Sequence, residues 1–195
     1  VKDRRYTTST ASPARSSCQT RMYHIVSILV RLISPILSFT AEEIWQTYSP
    51  LKKQHKSVFL SKFIDDIEFV DQQIIDEEWT KLFEIKDLVN QAIEKARNDG
   101  LVKGALDTNV EIICTKDTYE ILQNFGEELH FVFISSNCEI KQGESLSINI
   151  SQSKYEKCAR CWHRSETVNK SLNHPELCSR CVDNIENEGE VRRFV

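Results

Sequence analysis

The 195-residue sequence has no long apolar run and few of the residues that loosen or break regular structure. It contains five glycines, four prolines and one methionine. No stretch of 18 apolar residues occurs, which argues against a membrane-spanning helix and membrane partners, and no signal-peptide pattern opens the chain. We therefore expect a cytoplasmic, folded protein of one or two domains plus a small module. Because it starts at Val1 in a basic stretch, we also expect a fragment of something longer.

Motifs for nucleotide phosphates and for catalysis are missing as well. Neither G-x-x-x-x-G-K-S/T nor G-x-G-x-x-G occurs, so the sequence predicts no nucleotide site. Asp65, Asp66, Glu77 and Glu78 are clustered, but they lie at a linker and a helix start, where solvated acidic residues favour the helix dipole. We therefore predict no catalytic residue.

Four cysteines form the most informative pattern of the chain. Cys158, Cys161, Cys178 and Cys181 make a C-x2-C-x16-C-x2-C array, the spacing expected of a structural zinc site. Each C-x-x-C turn can present two sulfurs from one side, and the insert between the pairs is long enough for two short strands. Four thiolates close a tetrahedral shell, so we predict one structural zinc ion. Its binding would supply much of the folding free energy of this short segment.

Other interpretations of these cysteines are less favourable. Free cysteines can be small buried hydrophobes, a lone C-x-x-C can be redox-active, and secreted chains use disulfides. A redox pair would need a strand-to-helix turn, which neither pair has. His163 and His174 are near enough to compete as ligands, but the matched pairs leave no position for them.

Positive charge is concentrated in the first third of the chain. Residues 1–64 hold ten Lys or Arg and three Asp or Glu, although the whole chain has a net charge of −4. Arg15, Arg21 and Arg31 are either solvated helix positions or part of a surface that faces phosphates.

Apolar periodicity predicts three helices in the first half. Residues 14–37 have Met22, Ile25, Val26, Leu29, Ile33, Ile36 and Leu37 at three- and four-residue intervals, which predicts a buried face. Thr40 would cap a second helix, with Glu43 completing a capping box and Phe39 packing on Ile44. The third helix is predicted over residues 72–98, and Trp45 and Trp79 lie on apolar stripes, which indicates core positions.

The pattern changes after Gly100 to short apolar runs. Strands are predicted at residues 110–114, 131–134 and 146–150, with a helix at residues 117–125. The predicted fold is mainly α: a helical bundle over residues 1–99, a small α+β connecting domain over 100–152 and a zinc ribbon or knuckle over 153–195.

Several segments resemble a known family. Asp3–Thr8, Arg15–Thr20 and Pro35–Trp45 resemble the anticodon-binding helical domain of class I aminoacyl-tRNA synthetases for branched aliphatic amino acids. The zinc segments resemble the C-terminal module of bacterial-type isoleucyl-tRNA synthetases; they are Lys157–His163, Cys178–Val182 and Gly189–Phe194. The resemblance covers essentially the whole chain.

The resemblance implies a tRNA-binding fragment of a monomeric ligase that attaches isoleucine to its tRNA with ATP and magnesium. The HIGH-like and KMSKS-like motifs of the catalytic domain are absent from this sequence. The catalytic and editing domains would therefore be further partners of this segment, and the fragment alone is expected to be inactive. Its own partner would be the anticodon region of isoleucine tRNA.

Single-stranded RNA loops are bound by stacking on aromatic or guanidinium planes, while Lys and Arg hold the phosphates. Arg160 and Trp162 flank Cys161, so zinc would fix both, and His163 adds a second ring. Trp162 could instead pack beneath the metal. The candidate backbone contacts, each of which could also be simply solvated, are Arg180, Arg192, Arg193, Arg4, Arg5, Arg15 and Arg21.

Two alternatives remain open from sequence. The same cysteine spacing resembles the zinc hairpin of formamidopyrimidine-type DNA glycosylases, which would make the chain a DNA-binding fragment. The module could also be a purely structural zinc cap. Metal-dependent binding of nucleic acid would separate these interpretations.

Overall fold

The computed structural model describes residues 1–48, 51, 55–63 and 77–194. The chain divides into two compact units, one made of residues 1–15 and 73–195 and the other of residues 16–72. The predicted domain boundaries at 99 and 152 stay a prediction. Within the described residues, no helix is both long and apolar enough to cross a bilayer.

The described chain is mostly helical, with one small sheet, which confirms the predicted fold class. The α-helices are α1 (Lys2–Tyr6), α2 (Pro13–Ile33), α3 (Ser38–Thr47), α4 (Glu77–Asn98), α5 (Lys116–Phe125), α6 (Leu129–Phe133) and α7 (Ser179–Glu186). The strands are β1 (Thr108–Cys114), β2 (Asn137–Gln142) and β3 (Ser147–Gln152), and short 3-10 turns occur at Val58–Leu60, Ala105–Asp107 and Gly126–Glu128.

The core of the smaller unit surrounds Trp45, which is fully buried as predicted. Its indole nitrogen donates to the carbonyl of His55 at 2.8 Å, and the Arg31 guanidinium lies 4.8 Å from the ring centroid. Arg31 can be buried because its guanidinium donates to the carbonyl of Ser27 at 2.8 Å. Val30 also lies on this side of α2.

The predicted buried stripe of α2 is only partly buried. Val26 and Ile33 pack against the core, but Ile25 and Leu29 are 62% and 52% exposed, and Ile36 is 83% exposed. Leu37 is exposed as well, so the prediction was wrong for four residues of the stripe, because periodicity identifies an amphipathic helix without showing which part of its apolar face is covered.

The predicted start of the second helix was also wrong. Helix α3 begins at Ser38, and the amide of Ala41 already donates to the carbonyl of Leu37, so Thr40 lies within the helix. Phe39 is 93% exposed and does not pack as a staple. A tight turn sets this earlier start, because the amides of Ile36 and Leu37 both donate to the carbonyl of Ile33.

The larger unit packs α4 against the sheet. Strand β1 is central, parallel to β2 and antiparallel to β3. Its alternating burial directs Val110, Ile112 and Cys114 inward. These side chains share one core with the apolar stripe of α4, which comprises Leu82, Ile85, Val89 and Ile93, and Trp79 packs at its edge.

One predicted strand is a helix instead. Residues 131–133 belong to α6, and Ile134 is its C-cap, in the left-handed conformation with φ of 58°. Leu129, Val132 and Phe133 are all buried, a spacing that suits a helical turn, so a short apolar run was mistaken for a strand. The strand that the sequence analysis missed is β2, whose inward residues are Cys138 and Ile140.

Candidate metal centre and nucleic-acid interface

The four predicted cysteine ligands come together. Their sulfur atoms all lie within 4.8 Å of one another, and all four residues are buried. The sulfurs of Cys161 and Cys178 are 3.8 Å apart. A tetrahedral zinc ion with Zn–S bonds of about 2.3 Å places its sulfurs about 3.8 Å apart, so the cluster fits this ion. With four sulfurs, no position is left for a substrate, and the ion would be structural.

Two local structures position the sulfurs. The amide of Trp162 donates to the carbonyl of Cys158 at 3.0 Å, which closes the first C-x-x-C turn. Cys178 is the N-cap of α7, and its amide donates to the sulfur of Cys158 at 3.4 Å. The positive end of the helix favours thiolates here. Between the pairs there are turns and a single bridge from Lys157 to Arg164, and no strand lies in residues 162–177, all of which the structure describes.

Protonation of the four thiols is strongly coupled. Hydrogen bonds from Cys161, Cys178 and Cys181 lower the pKa of the Cys158 thiol, whereas the hydrogen bond with Cys158 raises the pKa of Cys181. Four clustered thiols cannot all ionise without a counter-charge. A divalent cation supplies that charge and converts all four into ligands.

Of the two histidines near the cluster, His174 pairs outside it, whereas His163 also hydrogen-bonds to the Cys161 thiol. His174 pairs with Glu186 at 3.1 Å. His163, a predicted RNA contact, is only 8% exposed, and its ring meets Phe131 and His130 edge-on at 5.7 and 5.5 Å. It therefore packs inside the module in this structure.

Trp162 lies at the surface, 45% exposed. Its backbone has φ of 72°, the left-handed region, which costs a bulky residue about 1–2 kcal/mol. The ammonium groups of Lys2 and Lys157 lie 3.4 and 4.7 Å from the centroid of its indole ring. An aromatic side chain is thus held at the surface, at some cost, with two cations against its ring.

Arg160 is turned toward the amino-terminal segment. Its guanidinium donates to the carbonyls of Thr7 at 2.5 Å and Tyr6 at 3.2 Å. Nearby, the amide of Ser9 donates to the side-chain oxygen of Asn184 in α7 at 3.0 Å. Arg160 therefore ties the zinc module to α1.

Arg180 and Arg192 form an ion-pair cluster with Asp3 and Glu190, which we call the Asp3 cluster. Arg180 contacts Asp3 at 2.9 Å and Glu190 at 3.0 Å, and Arg192 pairs with the same two carboxylates. The Arg192 side chain is 1% exposed. Both guanidiniums also lie over the Phe131 ring, at 4.9 and 3.4 Å from its centroid.

Electrostatics within the Asp3 cluster favour its charged form. Burial alone would raise the pKa of the Asp3 carboxyl, but the hydrogen bond and charge of Arg180, with the charge of Arg192, hold that pKa well below its usual range. The same hydrogen bond raises the pKa of Arg180 against the effect of burial. This cluster is consequently an internal support for the module.

The other predicted RNA contacts are more accessible. Arg193 is exposed; its backbone amide donates to Glu128 at 2.6 Å, and its guanidinium lies 4.8 Å from the centroid of the Phe194 ring. Arg4 and Arg5 are half-buried on α1, while Arg15 and Arg21 are half-buried and exposed, respectively, on α2. Sequence analysis missed Lys2, because nothing local indicates that it reaches a tryptophan 160 positions away; Lys157 directly precedes the array and could have been considered.

Family models match both parts of this architecture. The anticodon-binding domain of tRNA ligase matches residues 1–112, and a zinc finger found in FPG and IleRS matches residues 156–184. Isoleucine–tRNA ligases of Dichelobacter nodosus and Legionella pneumophila are each 41% identical to the chain over its whole length, and that of Glaesserella parasuis is 39% identical.

The chain belongs to the anticodon-binding domain family of tRNA ligases. Within that class, it corresponds to the anticodon-binding and zinc-finger region of isoleucine–tRNA ligases. The chain spans about a fifth of the length of these relatives, 21–22%. The glycosylase alternative fits the zinc finger alone and leaves residues 1–112 unexplained.

Proposed function

We propose that this region binds the anticodon stem and loop of isoleucine tRNA on behalf of a ligase that attaches isoleucine to that tRNA. The observation that carries the proposal is Trp162, which lies at the surface beside the four-cysteine centre, with Lys2 and Lys157 against its ring. A tryptophan held outward in a left-handed backbone conformation contributes little to a core. It suits a ligand with a flat face.

The chemistry of the platform fits single-stranded RNA. An unpaired base stacks on an indole with about 1–3 kcal/mol of binding free energy. Lysine side chains are flexible, so a base that enters can displace an ammonium from the ring face toward the adjoining phosphate. Arg193, Arg4, Arg5, and, on α2, Arg15 and Arg21 remain candidates for further phosphate contacts.

The metal has a supporting part in this proposal. Zinc bound by the four cysteines would fix the first C-x-x-C turn and thereby the position of Trp162. Arg160, Arg180 and Arg192 act indirectly, because they hold the module against α1. The chain by itself forms no isoleucyl-adenylate and performs no editing.

Binding of the chain to isoleucine tRNA and to a non-cognate tRNA, with and without a zinc chelator and at one fixed salt concentration, tests the proposal. We expect preference for the isoleucine tRNA, and we expect the chelator to remove it. Weak binding that is equal for the two tRNAs and unaffected by the chelator would instead favour a purely structural zinc cap.

A further inference from the structure

A polar groove of about 450 Å³ lies where the sheet meets the zinc module. It is lined by residues at one end of the three strands and by residues 154–155 and 164–166. It is separate from the cysteine cluster and from the Asp3 cluster. Its walls comprise three carboxamide residues, two cations, two carboxylates, two serines and one tyrosine: Asn109, Asn137, Gln152, Lys154, Arg164, Glu139, Glu166, Ser136, Ser165 and Tyr155.

Three carboxamide residues line this groove, and two of them make no side-chain hydrogen bond within the described part of the chain. In the part of the chain that the structure describes, the side chains of Asn109 and Gln152 make no hydrogen bond to protein. Asn137 makes only a long contact of 3.4 Å with Glu139. Asn109 and Asn137 are direct neighbours in the register of β1 and β2, so their amides lie side by side. Carboxamides offer a donor and an acceptor on the same plane, which matches the edge of a nucleobase.

Two cations adjoin the carboxamides. Arg164 is held in place, since its Nε donates to Asp107 at 2.6 Å and its Nη1 to the carbonyl of Tyr155 at 3.0 Å. These two bonds leave the Nη2 group of the guanidinium available. The Lys154 ammonium lies 5.5 Å from the centroid of the Tyr155 ring. The groove thus combines an amide-lined wall, an aromatic ring and a fixed guanidinium.

The groove adjoins the Trp162 platform along the chain. Lys157, which contacts the indole, pairs with Arg164, which lines the groove. Lys154 precedes Lys157 by three residues, and Arg164 follows Trp162 by two. The platform and the groove are therefore carried by the same short segment of the chain, residues 154–164.

We propose that this groove binds a second unpaired nucleotide of the same RNA strand, with Asn109 and Gln152 contacting the edge of its base and Arg164 and Lys154 near its sugar and phosphate. The inference rests on the proposed function. It adds a base-selective subsite to a platform that, by stacking alone, would accept any base.

The test compares tRNA affinity of the double variant Asn109→Ala, Gln152→Ala with that of Asn149→Ala. Asn149 is a carboxamide on β3 that lies outside the groove and contacts Glu111 at 2.9 Å. We expect a loss of about tenfold to a hundredfold for the double variant and no loss for the control. The slope of log affinity against log salt should not change for the double variant, whereas Lys154→Ala should reduce it by about 0.7.

Zinc content and melting temperature verify that the double variant is folded. If it is not, Gln152→Ala alone, at an exposed strand end, serves as the variant. Side-chain amide NMR signals give an independent readout: those of Asn109 and Gln152 should shift when isoleucine tRNA binds, and that of Asn149 should not.

Wild-type tRNA affinity of the double variant, together with unshifted amide signals of Asn109 and Gln152, would refute the proposed subsite. If Trp162→Ala still weakens binding in that case, the proposed function stands without the second subsite. If the wild-type chain binds no tRNA, both inferences fail together.

Discussion

Asp3 and Arg180, 177 residues apart in sequence, are joined by two parallel contacts: Nη2 to Oδ1 at 2.9 Å and Nη1 to Oδ2 at 3.2 Å. This bidentate geometry is the strong form of a carboxylate–guanidinium pair. Because Arg180 lies in α7 between Cys178 and Cys181, the pair connects the metal centre to α1. The metal centre and the lysine of α1 that contacts Trp162 are thereby held as one assembly.

Asp3→Ala should destabilise the chain by about 3 kcal/mol, because it leaves the buried Arg192 and Arg180 with Glu190 as their only carboxylate in the cluster. Denaturant unfolding at constant zinc concentration measures the loss. The matched control is Glu84→Ala, which breaks a solvent-exposed pair with Lys81 and should cost under about 0.5 kcal/mol. Equal effects of the two substitutions would contradict the supporting role of the cluster.

Cys178→Ser should abolish stoichiometric zinc binding and unfold residues 156–184, while the sheet core stays folded. Metal analysis and amide hydrogen exchange provide the two measurements. Cys138→Ala, at a free cysteine that packs against the sheet core, is the control and should retain zinc. A Cys178→Ser protein that keeps one zinc per chain would show the ligand assignment to be wrong.

Trp162→Gly and Trp162→Ala should lose tRNA affinity equally, by about 1–3 kcal/mol, if one base stacks on the indole. Their stabilities should differ, because glycine relieves the left-handed strain and should make that variant about 1 kcal/mol more stable than the alanine variant. Parallel binding and melting experiments check both points. Leu172→Ala, at a 99% exposed position of the same module, controls for surface changes. Unchanged affinity with intact zinc would remove Trp162 from the interface.

Acidification should destabilise the larger unit through His130. Burial, then the charges of His163, Arg180 and Arg192, lower the pKa of His130 to about 4. In the unfolded chain this histidine has a pKa of about 6.5, so on acidification the unfolded state is protonated before the folded state. The contribution of neutral His130 to the free energy of unfolding is therefore complete above pH 6.5 and is lost as the pH falls to about 4. We expect a loss of about 2 kcal/mol in this window, after allowance for partial exposure of the ring.

Thermal melting of wild type and His130→Gln between pH 7.5 and 4.5 measures that contribution. Zinc release at low pH affects both proteins, so the difference between them isolates His130. If the melting temperatures of wild type and His130→Gln depended on pH in the same way, the predicted contribution of His130 would be refuted.

Gly189→Ala should be much more harmful than Gly100→Ala, although both residues have positive φ, of 82° and 74°. An added Cβ at Gly189 would lie 2.5 Å from Oδ1 of Asn184 and 2.9 Å from Cβ of Ser9, whereas Gly100 has nothing within 4 Å. We expect about 1 kcal/mol for Gly100→Ala and more than about 2 kcal/mol for Gly189→Ala, measured by denaturant unfolding. Similar costs would mean that the tail can move away from Asn184.

Local patterns in the sequence predicted the four-cysteine cluster, α2, the buried Trp45 and two of the three strands in the described part of the chain. They failed where the decision depends on distant parts of the chain. Periodicity could not show that Ile25 and Leu29 are exposed, because the covering side chain, Trp45, selects the other side of α2. A four-residue apolar run at 131–134 fits a strand and a helical turn equally well, and burial of Val132 and Phe133 in the core decided for the helix.

The same limit applies to the candidate site. Arg160, Arg180 and Arg192 were predicted as RNA contacts from their charge and position near the cysteines. Their partners in this structure, Thr7 and Asp3, lie more than 150 positions away, so no local pattern could have indicated them. Charge identified the arginines, and only the tertiary structure distinguishes internal support from an accessible surface.

The link between Asp3 and Arg192 spans 189 positions, and it bears on how the chain acquires its structure during synthesis. Helix α1 is synthesised well before its guanidinium partners, Arg180 and Arg192, which follow about 10–40 seconds later at about 5–20 residues per second. Until then, a five-residue helix is too short to persist in water by itself. Loading of zinc and docking of α1 are therefore late events, and a ribosome-bound chain truncated before residue 178 should carry an unprotected, protease-sensitive amino-terminal segment.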